Sequence, residues 1–500
     1  MMSLRRNILA NYVSQIYVTS IGIIIVPLYI SYMGPEAFGL VGFFIMLQAW
    51  FKLLDMGLTP TVLRETARYR GGATDVLSYR RLTRALEGIF MCVALVGGLL
   101  LYLASNWIAT HWLDTLNLPI HEVISSLKLI ALIVAMRWMC GLYHGIISGS
   151  EQLVWLGVFN AAIASLRFIL VLPMLAFFSS RPSAFFSFQL IVAILELFVL
   201  VLFAYRVLPR VQKDQKISWN WVALKPVMKF SLSITITASV WVMLTQTDKL
   251  ILSKMLPLAE YGYFTLAVLI AGGIVTLSSP ISGAILPRMT NLEAAGDHEG
   301  LITIYKKSTR LVTYISSTTG VFLCFFATPI LLAWTGNKEL TDNAAPILRL
   351  YALGNSFLVL YAFTYYLQYA KGDLKLHVIG NILFVIFLVP IFIFMSKKYG
   401  AVGTGYTWAV MNILFLIFWT PLVHKRLAVN IHFNWMFMDI ILPIVPSLIL
   451  SSILYFYFNF STVRIIIMIQ LAVLFSLVIG SNLIFDAEIR KTILNRLSIN

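Results

Sequence analysis

The chain has 500 residues, 60% of them hydrophobic and 12% charged, with a mean hydropathy of +0.87. No water-soluble domain carries so much apolar surface, so the sequence is that of an integral membrane protein. Its net charge of +16 excludes little by itself, but there is no soluble domain to hold a duplex and cytoplasmic loops of membrane proteins collect basic residues, so no nucleic acid is expected.

The opening "MMSLRRN" precedes an apolar run with no small-residue cleavage site, and the first helix is expected to stay as an anchor. A bilayer core takes roughly 20 apolar residues per helix. About fourteen such runs follow, with cores near 10–32, 38–60, 85–107, 127–147, 153–178, 185–207, 230–254, 262–286, 311–332, 346–370, 375–396, 401–423, 437–458 and 463–484. The predicted fold is an all-α membrane protein of about 14 transmembrane helices. Lys and Arg concentrate in alternate connections, above all 64–84, 208–229 and 287–310. The bias is about four to one, which places both termini in the cytoplasm and supports an even helix count.

A Gly-Pro turn with one carboxylate, "MGPEAFGLVGFF" at 33–44, returns in blurred form as "MLPLAEYGYFTL" at 255–266. Gly39 and Gly262, Gly149 and Gly372, and Gly157 and Gly380 all lie 223 residues apart. These repeats predict two six-helix lobes related by pseudo-two-fold symmetry, plus two C-terminal helices. The expected division is an N-terminal lobe at 1–210, a cytoplasmic linker at 211–228, a C-terminal lobe at 229–428, and two extra helices with a cytoplasmic tail at 429–500. Two such bundles with a seam between them suit alternating access, and so transport more than catalysis.

Polar side chains inside spans are costly and point to function. In helix two, Gln48, Lys52, Asp55 and Thr59 recur at helical spacing and predict one stripe. Lys52 and Asp55 either neutralise each other or serve substrate and coupling. Helix four carries Arg137, Gly141 and His144 on one face, and helix five Asn160, Ala164 and Arg167; these stripes are expected to converge on a lumen. Arg137 and Arg167 fall near mid-span, where an unpaired guanidinium costs several kcal/mol (roughly 2.5–3.5 on insertion scales). Two readings stand: pairing with Glu196 of helix six, or exposure to a watery cavity that draws a phosphate. In helix seven, "TQTDKLILSK" places Asp248 and Lys249, read either as a proton or sodium site or as a salt-bridge gate. Helix eight keeps a stripe without charge, Gly272, Thr276, Ser279 and Gly283, and helix ten is rich in tyrosine.

Cys92, Cys140 and Cys324 sit in apolar runs without metal or redox spacing. No Walker loop, HExxH or Ser-His-Asp set is present, so no enzyme, no metal site and no cofactor are expected; coupling to H+ or Na+ stays open.

The stretches "NILANYVSQIYVTSIGIIIVPLYISYMGPEAFGLVGFF", "LLDMGLTPTVLRETARY" and "TQTDKLILSKMLPLAEYGYFTLA" resemble the polysaccharide-export, or O-antigen flippase, branch of the MATE-like exporter superfamily. The resemblance implies a bacterial inner-membrane protein that moves undecaprenyl-pyrophosphate-linked oligosaccharide from the cytoplasmic to the periplasmic leaflet. It implies a cationic lumen, for which Arg137, Arg167 and Lys52 are the substrate-binding candidates. Asp248, Lys249, Asp55 and Glu196 are the coupling or gating candidates. Its expected partners are the lipid-linked oligosaccharide, the bilayer, and a polysaccharide polymerase and chain-length regulator. A cation-coupled exporter of small organic cations would share the fold but would want carboxylates in its cavity. A membrane glycosyltransferase or polymerase would need a large outer loop, and the outer loops are short.

Overall fold

The computed structural model describes residues 4–211, 217 and 225–485. Helices account for nearly all of them: α1 (Leu4–Ile24), α2 (Val26–Met33), α3 (Pro35–Phe51), α4 (Leu58–Arg70), α5 (Val76–Trp107), α6 (Ile120–Gly149), α7 (Leu153–Phe168), α8 (Val171–Phe177) and α9 (Pro182–Val207). There follow α10 (Lys225–Met255), α11 (Leu258–Ala294), α12 (His298–Thr335), α13 (Lys338–Ala370), α14 (Lys375–Leu414), α15 (Thr420–Leu427), the short α16 (His432–Asn434), α17 (Leu442–Tyr457) and α18 (Arg464–Phe485). Among the described residues no strand forms beyond one isolated bridge between Asp114 and Pro257.

Twelve segments among the described residues are long and apolar enough to span a bilayer. One of these, Lys375–Leu427, has 53 residues, far more than the roughly 20 that one crossing needs. Gly400 (φ 56°) divides it into the expected eleventh and twelfth spans. The 31-residue α10 supplies the expected seventh, so each of the fourteen predicted runs falls on helix. This is an all-α, multi-pass membrane protein.

Proline accounts for another break inside a span. Pro173 lacks the N–H that would hold the Ile169 carbonyl, and the chain is interrupted between α7 and α8 at Ile169 and Leu170. The carbonyls bared beside the break are taken by side chains: Tyr29 Oη donates to Phe168 O at 3.0 Å, and Gln189 Nε2 to Arg167 O at 2.9 Å. Within a span such substitutes stand in for the helical hydrogen bonds that the break removes.

The chain forms two compact units, Met1–Gly262 and Tyr263–Asn500. Residues 212–216 and 218–224 of the expected linker lie outside the described residues, as do Arg490, Lys491 and Arg496 of the tail. Within the first unit α10 packs on α3 and α4. The two turns of the repeat meet there. A Cβ on Gly262 would come within 2.7 Å of Pro35 O and 3.2 Å of Gly39 N, and one on Gly39 within 2.8 Å of Leu258 Cγ, so backbones touch where side chains are missing. The same device seats α4 on α6. Cβ atoms on Gly141, Gly145 and Gly149 would lie 2.9 Å from Thr59 Oγ1, 3.0 Å from Thr59 O and 2.6 Å from Leu63 O.

Glu36, the carboxylate of the Gly-Pro turn, clamps the connection between α5 and α6. It is 5% exposed. Its two oxygens accept from Leu116 N (2.8 Å), Asn117 N (3.0 Å to each) and Leu118 N (2.8 Å). The same connection is held on its other side by Leu258 N to Asp114 O at 2.8 Å and by Trp112 Nε1 to Ser253 Oγ at 3.0 Å.

The second unit has its own polar core. Arg310 Nε and Nη2 both donate to Oδ1 of the fully buried Asp439, at 3.0 and 2.9 Å. Thr313 Oγ1 bonds Asp439 O at 2.8 Å and Trp435 Nε1 bonds Thr309 Oγ1 at 3.0 Å, tying the segment before α17 to α12.

Candidate functional site

A cavity of about 410 Å³ opens inside the first unit, between α1, α6, α7 and α9. Its polar wall is formed by Ser14, Gln15 and Thr19 of α1, His144 of α6, Asn160 and Arg167 of α7, and Glu196 of α9. Ser14 Oγ donates to Gly157 O at 2.7 Å, fixing α1 on α7. The His144 ring lies 2.9 Å from Cys140 O through Nδ1 and 3.2 Å from Asn160 Oδ1 through Nε2. Of the helix-five stripe Asn160, Ala164 and Arg167 line the cavity, whereas of the helix-four stripe only His144 does: Gly141 packs against Thr59 of α4, and Arg137 is not on the lining.

The two mid-span arginines differ in their partners. Arg167 forms an ion pair with Glu196; the side chains are 22% and 8% exposed, and both line the cavity. Pairing and cavity exposure, set out as alternatives, hold together for this residue. Arg137 has no carboxylate within ion-pair distance among the described residues. Its Nη2 donates to Gln189 Oε1 at 2.9 Å, its Nη1 reaches Gln48 Oε1 at 3.4 Å, and its guanidinium lies 5.1 Å from the Phe44 ring centre. Neutral amides and an aromatic face thus compensate its charge. The Nε atoms of both arginines are buried without a hydrogen-bond partner among the described residues, leaving donor capacity on each.

Gln189 links the set, accepting from Arg137 on α6 and donating to the Arg167 carbonyl on α7. Sequence reasoning passed over it. The signal was its spacing: Gln189 and Glu196 are seven residues apart, two turns of one helix face.

The helix-two stripe is corrected. Gln48, Lys52, Asp55 and Thr59 do not lie on one continuous helix: α3 ends at Phe51, Lys52–Asp55 is a 3-10 turn, and Met56 (φ 43°) and Gly57 (φ 69°) are left-handed before α4 begins. The cause is Pro60, which cannot bond the Met56 carbonyl four residues back. Ser231 Oγ of α10 takes that carbonyl instead. Asp55 accepts from Thr59 Oγ1 at 2.6 Å and from Thr59 N at 3.2 Å, starting α4, while Lys52 is exposed and does not line the cavity.

Asp248 and Lys249 of α10 form an ion pair at 3.4 Å, with side chains 3% and 19% exposed. The lysine ammonium also donates to Thr245 O. On α13, Tyr351 and Tyr361 are buried, Tyr365 and Tyr366 half-buried, and Tyr369 exposed, so this aromatic run is divided between packing and surface.

This architecture, helical membrane bundles with a polar cavity, is that of a transporter fold. The family described as polysaccharide biosynthesis protein matches residues 4–293, and the chain belongs to it. A putative O-antigen transporter of Shigella flexneri is 21% identical over 389 residues, covering 76% of this chain and 88% of that one. Among solved structures, the lipid II flippase MurJ in an inward closed conformation aligns with a TM-score of 0.74 at 15% identity over 98% of this chain and 99% of that one. An inward-facing multidrug resistance transporter of the MATE family, in the MOP superfamily, aligns with a TM-score of 0.68 at 14% identity, over 83% of this chain and 94% of that one.

Proposed function

We propose that the protein is a flippase, not an enzyme, which carries undecaprenyl-pyrophosphate-linked oligosaccharide repeat units from the cytoplasmic to the periplasmic leaflet of a bacterial inner membrane by alternating access. The lobes that rock are the expected 1–210 and 229–428 halves, joined by the 211–228 linker, with both termini in the cytoplasm. Membership of the polysaccharide biosynthesis family and likeness to a putative O-antigen transporter support the substrate class. The observation that carries the reading is the cavity walled by Arg167, with Arg137 joined to it through Gln189 and with hydroxyl, amide and imidazole groups around it.

In this reading Arg137 and Arg167 offset the lost hydration of the pyrophosphate, since a phosphate crossing the membrane needs fixed positive charge. Lys52 meets the head group at the surface, and Glu196 holds Arg167 until substrate competes for it. Asp248 with Lys249, and Asp55, act in coupling or gating, with H+ or Na+ as the driving ion. A polymerase and a chain-length regulator receive the product. The test is to measure cell-surface glycan and membrane abundance together for Arg137→Lys and Arg137→Ala. Partial export with lysine and almost none with alanine, at normal abundance, is expected. Normal export by a well-expressed Arg137→Ala protein would remove Arg137 from the anion site.

A second reading, a cation-coupled exporter of small organic cations, is favoured by one observation, the Glu196 carboxylate on the cavity wall. It requires that Glu196→Gln abolish efflux of an organic cation, a property the flippase reading does not demand.

A further inference from the structure

A second pocket, of about 270 Å³, lies where α5 begins and α9 ends; it shares only α9 with the cavity above, and none of that cavity's lining residues. Its walls are Arg80, Thr83, Arg84 and Glu87 of α5, Tyr205 of α9, and Ile217. Both α5 and α9 pack on α6. Glu87 is satisfied already: Tyr205 Oη donates to it at 2.7 Å and Arg84 Nη1 at 3.3 Å. Arg80 lies with its guanidinium 5.4 Å from the Tyr205 ring centre, has no carboxylate partner among the described residues, and keeps a buried Nε without a hydrogen-bond partner. Among the described lining residues, two arginines against one glutamate leave a surplus of one positive charge.

The pocket continues into an apolar track. On α5 the face of Arg80, Arg84 and Glu87 goes on, at helical spacing, to exposed Met91 and Leu95; on α9 the face of Tyr205 goes on to exposed Leu202, Phe198 and Leu195. A ligand that fills both parts has an anionic head and apolar chains.

We propose that this pocket binds the phosphodiester head group of an acidic glycerophospholipid of the leaflet in which α5 begins, with its acyl chains lying along α5 and α9. Basic pockets between membrane helices on the cytoplasmic side commonly hold such head groups. The single surplus charge matches one phosphodiester and undercompensates a pyrophosphate, which separates this site from substrate recognition. The bond is a charge-assisted one from Arg80 to a phosphate oxygen; the Thr83 hydroxyl is already committed to Tyr79 O at 2.9 Å.

The experiment uses full-length protein in nanodiscs of phosphatidylcholine alone or with phosphatidylglycerol, reading the difference in unfolding temperature between the two, and the phosphatidylglycerol retained after detergent washing by native mass spectrometry. Wild type is expected to gain stability from phosphatidylglycerol. Arg80→Gln is expected to lose that gain and retain about fivefold less lipid. Arg64→Gln, which removes the same charge from α4, should behave as wild type. Each variant is compared with itself in the two lipids, so a general loss of stability in Arg80→Gln cancels. An unchanged phosphatidylglycerol gain in Arg80→Gln overturns the site. Inorganic phosphate reproducing the full gain in phosphatidylcholine overturns the lipid, and farnesyl pyrophosphate displacing phosphatidylglycerol at equal concentration overturns the single-phosphate assignment.

Discussion

Removing Arg167 is expected to destabilise the fold and removing Arg137 to leave it nearly unchanged, because one is paired with a charge and the other is not. Arg167→Ala leaves the Glu196 carboxylate, 6% exposed, without its counter-ion. Breaking a buried pair on one side costs about 3–5 kcal/mol, which is a large part of the stability of an average domain. Glu196→Gln in the same chain removes the stranded charge and should recover most of that loss. Arg137→Ala breaks bonds to the neutral Gln189 and Gln48, about 1.5–3 kcal/mol for each bond made by a charged donor. It also relieves the several kcal/mol spent on desolvating an unpaired guanidinium, so the two effects nearly cancel. Thermal unfolding of purified protein, with membrane abundance from cells, reads both. Arg167→Ala should be scarce and unstable, the Arg167→Ala/Glu196→Gln double variant close to normal, and Arg137→Ala abundant but defective in export. Equal instability of Arg167→Ala with and without Glu196→Gln would refute the ion-pair argument, and an Arg137→Ala protein as scarce as Arg167→Ala would refute the contrast.

Glu36→Gln replaces an acceptor of four backbone hydrogen bonds by one carbonyl and one amide that faces donors with a donor. Amide hydrogen exchange at Leu116–Leu118 should speed at least tenfold, the effect of about 1.4 kcal/mol, and unchanged protection would show that the clamp is not needed. Gly149→Ala places a Cβ 2.6 Å from the Leu63 carbonyl, where neither backbone can yield cheaply. A loss of about 1–3 kcal/mol is expected in the unfolding transition, and a neutral result would show that α4 can move off α6. For the helix-seven pair, Asp248→Asn with Lys249→Gln should be milder than the sum of the single changes, with a coupling of about 0.5–3 kcal/mol; additive losses would separate the two residues. A reporter active only outside the cytoplasm should be silent when fused at Arg70 and active at Asp114, and the reverse would invert the orientation drawn from the Lys/Arg bias.

The sequence by itself determined the environment of this chain and its helical content. Both depend on runs of neighbouring residues: an apolar stretch of bilayer length must be helical wherever it folds, because lipid offers its backbone no partner. The Gly34-Pro35 turn and its copy at Pro257 were legible for the same local reason; the break in helix two was not read, although Gly57 and Pro60, three residues apart, carried a local signal for it. Tertiary structure alone decided which polar groups meet. Arg137 finds Gln48 and Gln189, 89 and 52 residues away, Glu36 finds the backbone of residues 116–118, and Arg310 finds Asp439 across 129 residues. Nothing near these side chains in the chain specifies such partners. The choice between a cavity arginine and a paired one turned on where Glu196 of α9 came to rest beside α7, which packing sets and local sequence does not.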